Sequence, residues 1–369
     1  MIIRSSKENT VKYPLVEHFG MKGTAFLGCR YPIICGAMTW VSDARLVERI
    51  VNNGGFGILA CGNFSTEMVL EEIKRTRQYT DKSFGVNLIT VAPNYRAHIE
   101  LVKELKVPYV VFAGSFPKTE DVQSVKSAGC RVLCFAQSVG IALRMVKAGA
   151  DAIILEGTEA GGHIGHVSTI VLLQQVLFQM PPERDIPIFV AGGVATGKMI
   201  AHLLLMGAAG VQMGTRFVLS EECDVHDNFK KAFIRAKAWD AVATPQFDPR
   251  IPVISVRALK NKSTEEFNRL QLGLMARLEK EEITKEEAQY KVEEFWMGSL
   301  RRAVKEGDVE TGSLMAGQSV GLCEKVQSTS EIFQELLQEA EDELRTVEGR
   351  FKALRAGRDS GAVAFSHSK

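Results

Sequence analysis

Along this chain the apolar positions come in short continuous runs, not in alternation. Eight stand out: YPIIC (31–35), GFGILA (55–60), FGVNLI (84–89), PYVVF (108–112), RVLCF (131–135), AIILE (152–156), PIFVA (187–191) and GVQMG (210–214). A strand covered on both faces loses the period-two pattern, so these runs predict parallel strands buried between helices. The stretches between them carry helix signals, such as the Ser65–Thr66 cap that opens STEMVLEEIKRTRQ. Eight βα units favour a closed (β/α)8 TIM barrel over an open doubly wound sheet, because about six strands suffice for the open form and a closed ring has no edges.

The rhythm breaks between 223 and 305, where PQFDPRIPVISVRALKNKS precedes the charged, helical RLQLGLMARLEKEEITKEEAQYKVEEF. This stretch is predicted to be a small inserted, mainly helical lid or substrate domain, with 1–222 and 306–356 forming the barrel. The last helix, EIFQELLQEAEDELRTVEGRFKALR, puts Phe333, Leu336, Leu337, Ala340, Leu344, Val347, Phe351 and Leu354 on one stripe, which is predicted to dock on its own barrel. Residues 357–369 read as a disordered tail.

Composition narrows the class. Lys+Arg 45 against Asp+Glu 44 gives a formal charge of +1, so nothing argues for binding nucleic acid or an anionic membrane. Seven cysteines (29, 35, 61, 130, 134, 223, 323), without CxxC spacing and mostly in apolar segments, suit buried thiols in a reducing compartment. MIIRSSKENT has no signal-peptide pattern and no apolar run nears the roughly 18 residues of a membrane span, so the expected location is cytoplasmic.

GGVATGKM (192–199) satisfies GxxxxGK directly after a strand, but Met199 stands where a nucleotide-hydrolysing P-loop needs a hydroxyl for magnesium. What survives is a strand, two glycines and a helix whose first N–H groups suit a phosphate. GVQMGTRF supplies a second such turn at Gly214 and Thr215. They follow the seventh and eighth predicted strands, where (β/α)8 barrels often bind phosphate; the alternative is glycines serving tight turns alone. With no GxGxxG dinucleotide fingerprint, a mononucleotide such as FMN is the expected cofactor.

Six motifs in order, YPIICGAM, FGVNL, EGTEAGGHIG, VAGGVATG, GVQMGTRF and GSLMAGQSVGL, resemble the nitronate monooxygenase (2-nitropropane dioxygenase-like) family, which includes the flavin-dependent enoyl-ACP reductase II. The resemblance spans about residues 28–325. It implies an FMN-binding (β/α)8 barrel in which Gly36, Ala37, Met38 and Asn87 lie along the flavin ring, Ala136 and Gln137 approach it after the fifth strand, and Glu156 faces it. Gly161 and Gly162 belong to the same cofactor-binding turn. Gly192, Gly193, Gly214 and Thr215 would bind the phosphate, and Gln318 would reach back over the flavin edge. For Asn87 and Gln318 the residues alone equally allow ordinary turn bonding.

By the same resemblance His163 is the catalytic residue, a base or proton relay at the flavin's reactive side; an imidazole exchanges a proton near neutrality. His166 raises a shared metal ion as an alternative, but no third ligand is visible, so no metal is expected. Arg216 and the pair Arg257 and Lys260 are candidate partners for a cofactor or substrate phosphate, though exposed cations are usually only solvated. Trp40 and Phe135 are read mainly as packing residues.

The resemblance leaves two activities. In the leading one, an alkyl nitronate is oxidised with O2, His163 deprotonating any neutral nitroalkane. In the alternative, NAD(P)H is a co-substrate and an enoyl thioester is reduced, with an acyl carrier protein as partner. The long C-terminal helix and the modest basic cluster at Arg257, Lys260 and Lys262 speak against the second; EAGGHIG, VRALKN and GSLMAGQ speak for it. A barrel that binds FMN without turnover is the remaining possibility, and homodimer formation is left open.

Overall fold

A computed structural model describes residues 12–62, 64–180, 185–245 and 255–359. Six parallel strands, β1 (Ile33–Cys35), β2 (Phe56–Ala60), β3 (Gly85–Ile89), β4 (Tyr109–Ala113), β5 (Arg131–Ala136) and β6 (Ala152–Glu156), begin a ring. The two-residue strand β7 (Gly162–His163) leaves it, and β8 (Ile188–Ala191) and β9 (Gly210–Met213) complete it. Closure is by β9 on β1, Ile33 opposite Val211 and Cys35 opposite Met213. All eight predicted strands are barrel strands, for the reason that made them legible: both faces are covered.

Successive residues of each strand serve two packing layers. On β5, Leu133 and Phe135 join Ile34, Phe56, Ile58, Val111, Ile154 and Phe189 inside the ring, while Val132, Cys134 and Ala136 meet the helices. The chain enters through α1 (Pro14–Phe19) and α2 (Met21–Leu27), and α2 closes the N-terminal mouth. There Leu27 is buried in the interior cluster and the Phe26 carbonyl accepts from the Tyr109 hydroxyl at 2.7 Å. Helices α3 (Ala44–Asn52), α4 (Thr66–Tyr79), α5 (Tyr95–Glu104), α6 (Thr119–Ser127), α7 (Val139–Ala148), α8 (Thr169–Gln179) and α9 (Gly197–Leu205) alternate with the strands. The Ser65 hydroxyl caps α4 by accepting from the Met68 N–H at 3.3 Å.

After α10 (Thr215–Val218) and α11 (Asp227–Arg235), the lid contributes β10 (Ala241–Ala243), β11 (Val256–Leu259), α12 (Lys262–Glu279) and α13 (Lys285–Arg301). Each long helix opens on a capping box, Asn261 with Thr264 and Thr284 with Glu287, and the two pack through Phe267, Leu274, Val292 and Trp296. The lid is mainly helical, but it also forms an antiparallel sheet, β10-β11-β7, in which His163 pairs with Val256 and Gly162 with Arg257. The glycine-histidine turn of the barrel is therefore a strand of the lid's own sheet.

The final helix, α14 (Thr329–Asp359), lies on α9. Phe333, Leu336, Leu337, Ala340 and Leu344 are buried, but the predicted stripe ends there: Phe351 and Leu354 are 62% and 65% exposed. The helix continues through Asp359, so 357–359 are not the disordered residues expected, and 360–369 lie outside the described residues. All seven cysteines are free thiols, six of them buried. No helix among the described residues is long and apolar enough to cross a membrane.

Candidate active site

A cavity of about 420 Å³ opens where the barrel strands end, with the lid across it. Gly36, Ala37 and Met38 after β1, Asn87 on β3, Gln137 after β5 and Glu156 on β6 line it. So do Gly161, Gly162 and His163 of the turn, and Gly192, Gly193, Gly214 and Thr215 after the last two barrel strands. Two predicted contacts lie elsewhere. The Ala136 side chain points into the helix layer. Gln318 begins a 3-10 helix, donating its N–H to the Glu159 carbonyl at 2.9 Å, while its neighbours Gly317 and Ser319 line the cavity.

The phosphate-type turns differ from the expectation in one respect. The N-terminus of α9 is not open: the Gly197 N–H donates to Glu339 Oε2 of α14 at 2.8 Å, and Thr196 Oγ1 accepts from the Met199 N–H at 3.3 Å. An acidic side chain from the C-terminal helix thus occupies the position assigned to an anion. What remains available is main chain nearer the cavity. The N–H groups of Gly192, Gly193, Gly214 and Thr215 donate to no protein group among the described residues. Gly192 and Gly193 hold φ of +98° and +76°, and a Cβ on Gly193 would sit 3.3 Å from the Glu159 Cβ.

Gly161 is required for a different reason. A Cβ there would meet the Ala316 carbonyl carbon and the Gly317 nitrogen at 2.6 Å, so the two Gly-rich segments touch backbone to backbone. Gly317 also donates its N–H to Thr215 Oγ1 at 3.0 Å, joining the third segment. Further into the cavity, Gln212 Oε1 is buried and without a partner among the described residues, and Asn87 Nδ2 donates to the Val111 carbonyl at 3.1 Å.

On the opposite side, His163 Nε2 lies 3.5 Å from Glu293 Oε1 of α13, with side chains 29% and 18% exposed. Burial disfavours an imidazolium, but the Glu293 carboxylate and, behind it, Glu156 outweigh this, so the His163 pKa is raised. Glu293 is held below the usual carboxylate range: burial raises it and the imidazole lowers it by more. Burial pushes Glu156 up to about 7, opposed by His163 and by a hydrogen bond from Gln137. The Glu293 carboxylate and the Glu156 carboxyl thus both favour the protonated form of His163.

The other candidate cations are structural. Arg257 is buried, donating from Nε to the Thr158 carbonyl at 2.9 Å and from Nη1 to the Ala241 carbonyl at 2.5 Å. Arg216 is buried against α14, bonding Gln327 at 2.7 Å and Glu335 at 2.9 Å. Neither these two nor Lys260 and His166 line the cavity, whereas Phe135 does. Trp40 packs on Phe64 at 4.7 Å between centroids.

A model of the nitronate monooxygenase family matches residues 22–98 and 89–339. The chain belongs to the nitronate monooxygenase family. It is 28% identical over 342 residues to a probable nitronate monooxygenase of Staphylococcus aureus, covering 80% of this chain and 90% of that protein. A Rhodococcus jostii protein named as a 5-hydroxy-7a-methyl-1-oxo-octahydro-1H-indene-4-carboxyl-CoA dehydrogenase is 36% identical over 225 residues, 61% of this chain and 62% of that protein. Among solved structures, FabK from Thermotoga maritima superimposes with a TM-score of 0.78 at 34% identity, covering 89% of this chain and 98% of that one. A nitroalkane oxidase from Streptomyces ansochromogenes does so with a TM-score of 0.73 at 25% identity, over 88% and 99%.

Membership of the nitronate monooxygenase family makes the chain an oxidoreductase acting on a small molecule. Several cavity residues escaped sequence reasoning, among them Glu293, Trp296 and Gln212. Glu293 and Trp296 lie in the lid helix α13 and Gln212 in the middle of β9. The only trace of the first two is their three-residue spacing, which puts them on one helix face. Gln212 is a polar residue inside an otherwise apolar strand, and that contrast is the signal that points to it in the sequence.

Proposed function

We propose that the protein is an FMN-dependent oxidoreductase that reduces the double bond of an enoyl thioester at the expense of NAD(P)H. The observation that carries this reading is the pairing of His163 Nε2 with Glu293 Oε1 at 3.5 Å: the carboxylate raises the His163 pKa and so favours the imidazolium, the form that donates a proton. The cavity suits the cofactor on its own evidence. Four main-chain N–H groups on two adjacent turns lack protein acceptors, which fits a phosphate, and the orphaned Gln212 Oε1 inside the barrel mouth fits a ring N–H.

FMN bound there supplies two-electron redox chemistry, which the protein's own side chains lack. In this assignment Gly192, Gly193, Gly214 and Thr215 would hold the phosphate, and Asn87, Gln212 and Gly36 to Met38 would hold the ring. The net reaction converts NAD(P)H, a proton and an enoyl thioester into NAD(P)+ and the saturated thioester. His163 donates its Nε2 proton to the carbon beside the thioester carbonyl, and Glu293 keeps that proton in place beforehand. Residues 223–305 act as the substrate domain. Two relatives above 30% identity, FabK from Thermotoga maritima and the Rhodococcus jostii dehydrogenase, carry names other than nitronate or nitroalkane chemistry, and the second is named for a carboxyl-CoA thioester.

Nitronate oxidation with O2 is the second reading, favoured by the family's name and by the relatives at 28% and 25% identity. The same imidazolium would then bind an anionic nitronate by charge. A raised His163 pKa favours the relay half of the role expected from the resemblance, proton donation, over deprotonation of a neutral nitroalkane. Paired anaerobic titrations separate the readings. Bleaching of the yellow holoenzyme by NADPH or NADH, with reoxidation by an enoyl-CoA, is the expected result; bleaching by a nitronate with no response to either nucleotide overturns it.

A further inference from the structure

The rim loop after β4 ends in an exposed aromatic residue that the chemistry above does not use. Phe116 is 41% exposed yet forms part of the cavity wall together with Ser115 and Pro117. Its loop is anchored: the Ser115 N–H donates to Thr90 Oγ1 at 2.8 Å, and the Thr90 N–H donates to the Ala113 carbonyl at 3.0 Å. Arg144, exposed on α7, lays its guanidinium 5.6 Å from the Phe116 ring centroid. Lys147 is three residues along the same helix, on the same face, and Lys118 follows the loop. None of these three cations has an ion-pair partner among the described residues.

An exposed phenyl ring costs solvation free energy and a guanidinium stacked on it extends the flat surface, so together they suit a planar heteroaromatic ring. Three uncompensated positive charges beside that surface suit an anionic group attached to the ring. Resting on the function proposed above, we infer that Phe116 and Arg144 form a subsite for the adenosine diphosphate portion of a nucleotide-bearing reactant. Two reactants of that reading share this portion, NAD(P)H and a coenzyme A thioester. The stack provides adenine recognition, and Arg144 with Lys118 and Lys147 meets the phosphates. His163 and the phosphate-type turns are not part of this subsite.

The test combines binding with a comparison of full and truncated reactants on the FMN-loaded protein. Titration calorimetry with ADP alone is expected to show binding that Phe116→Ala and Arg144→Glu each weaken about tenfold, the range for losing one base-stacking partner. For the source of the fragment, anaerobic flavin reduction by NADPH is compared with reduction by reduced nicotinamide mononucleotide, and turnover of an enoyl-CoA with that of the matching enoyl pantetheine thioester. A rise of about tenfold in KM for NADPH alone assigns the subsite to the hydride donor; the same rise for the enoyl-CoA alone assigns it to the thioester. Turnover of the truncated partners is expected to be unchanged in both variants. Equal ADP affinity in wild type and both variants, or equal losses with full and truncated partners, overturns the subsite. If ADP binding falls in the variants but neither NADPH nor enoyl-CoA reacts with the wild-type flavin, the subsite stands and the reductase reading falls. Arg144→Glu is a surface change on an exposed helix position, so it keeps the test valid should Phe116→Ala fold poorly.

Discussion

The two flanks of the cavity are built on opposite principles. On the flank formed by the turns after β8 and β9, the functional groups are main-chain N–H donors, held by glycine conformations and braced from behind by α14 through Glu339 and Leu336. On the lid flank, the groups are side chains whose charge depends on one another, His163 on a two-residue strand and Glu293 on a helix some 130 positions later. Main-chain donors keep their partial charge at any pH, whereas the His163–Glu293–Glu156 set responds to it. The first flank is therefore suited to holding a permanent anion and the second to moving a proton.

Perturbing the lid flank at its centre should give the largest effect. His163→Ala is expected to lower steady-state turnover by about 10²- to 10⁴-fold while flavin absorbance per protein stays unchanged; loss of flavin would show that the flanks are not separable. Next is the brace. Leu336→Ala, at a buried position of α14, should destabilise the fold by about 2–5 kcal/mol in denaturant titrations, and flavin should be released before the barrel unfolds.

At Gly193 a smaller change is directed at the cofactor alone. Val in its place brings a branched side chain to φ +76° and toward Glu159, so flavin affinity, read by fluorescence of released FMN, should fall roughly tenfold with an unaltered pH profile. The mildest test is Glu293→Gln. The acid form of His163 exists below its raised pKa, so wild-type activity should decline as pH rises through a value above 6.5. Without the Glu293 charge, burial, which lowers that pKa, gains weight and the declining limb should move to lower pH. The cost should be several-fold at neutral pH and little in mild acid. An unmoved limb would detach Glu293 from the proton.

These flanks were unequally legible beforehand. The turns at Gly192, Gly193, Gly214 and Thr215 could be read because glycine after an apolar run has a local meaning, and His163 because it follows two glycines. Glu293 could not, since YKVEEFW is an ordinary amphipathic helix until its partner is known. The closure of α9 by Glu339 was equally hidden: GGVATGK reads as an open phosphate turn unless the docked position of α14 is known. Arg216 and Arg257 are, from the sequence, candidate ligand contacts; in the fold both are buried ties between distant segments.

The eight barrel strands and their order, the closed ring and the glycine turns at its rim follow from the sequence alone, because they depend on burial periodicity and on conformations that neighbouring residues settle among themselves. Tertiary structure decided which charges meet. The antiparallel pairing of β7 with β11 spans strands of two and four residues, too short to leave a pattern, yet it draws the lid over the barrel mouth and sets Glu293 beside His163. Coulombic coupling depends on distance in space, and no spacing along the chain encodes it.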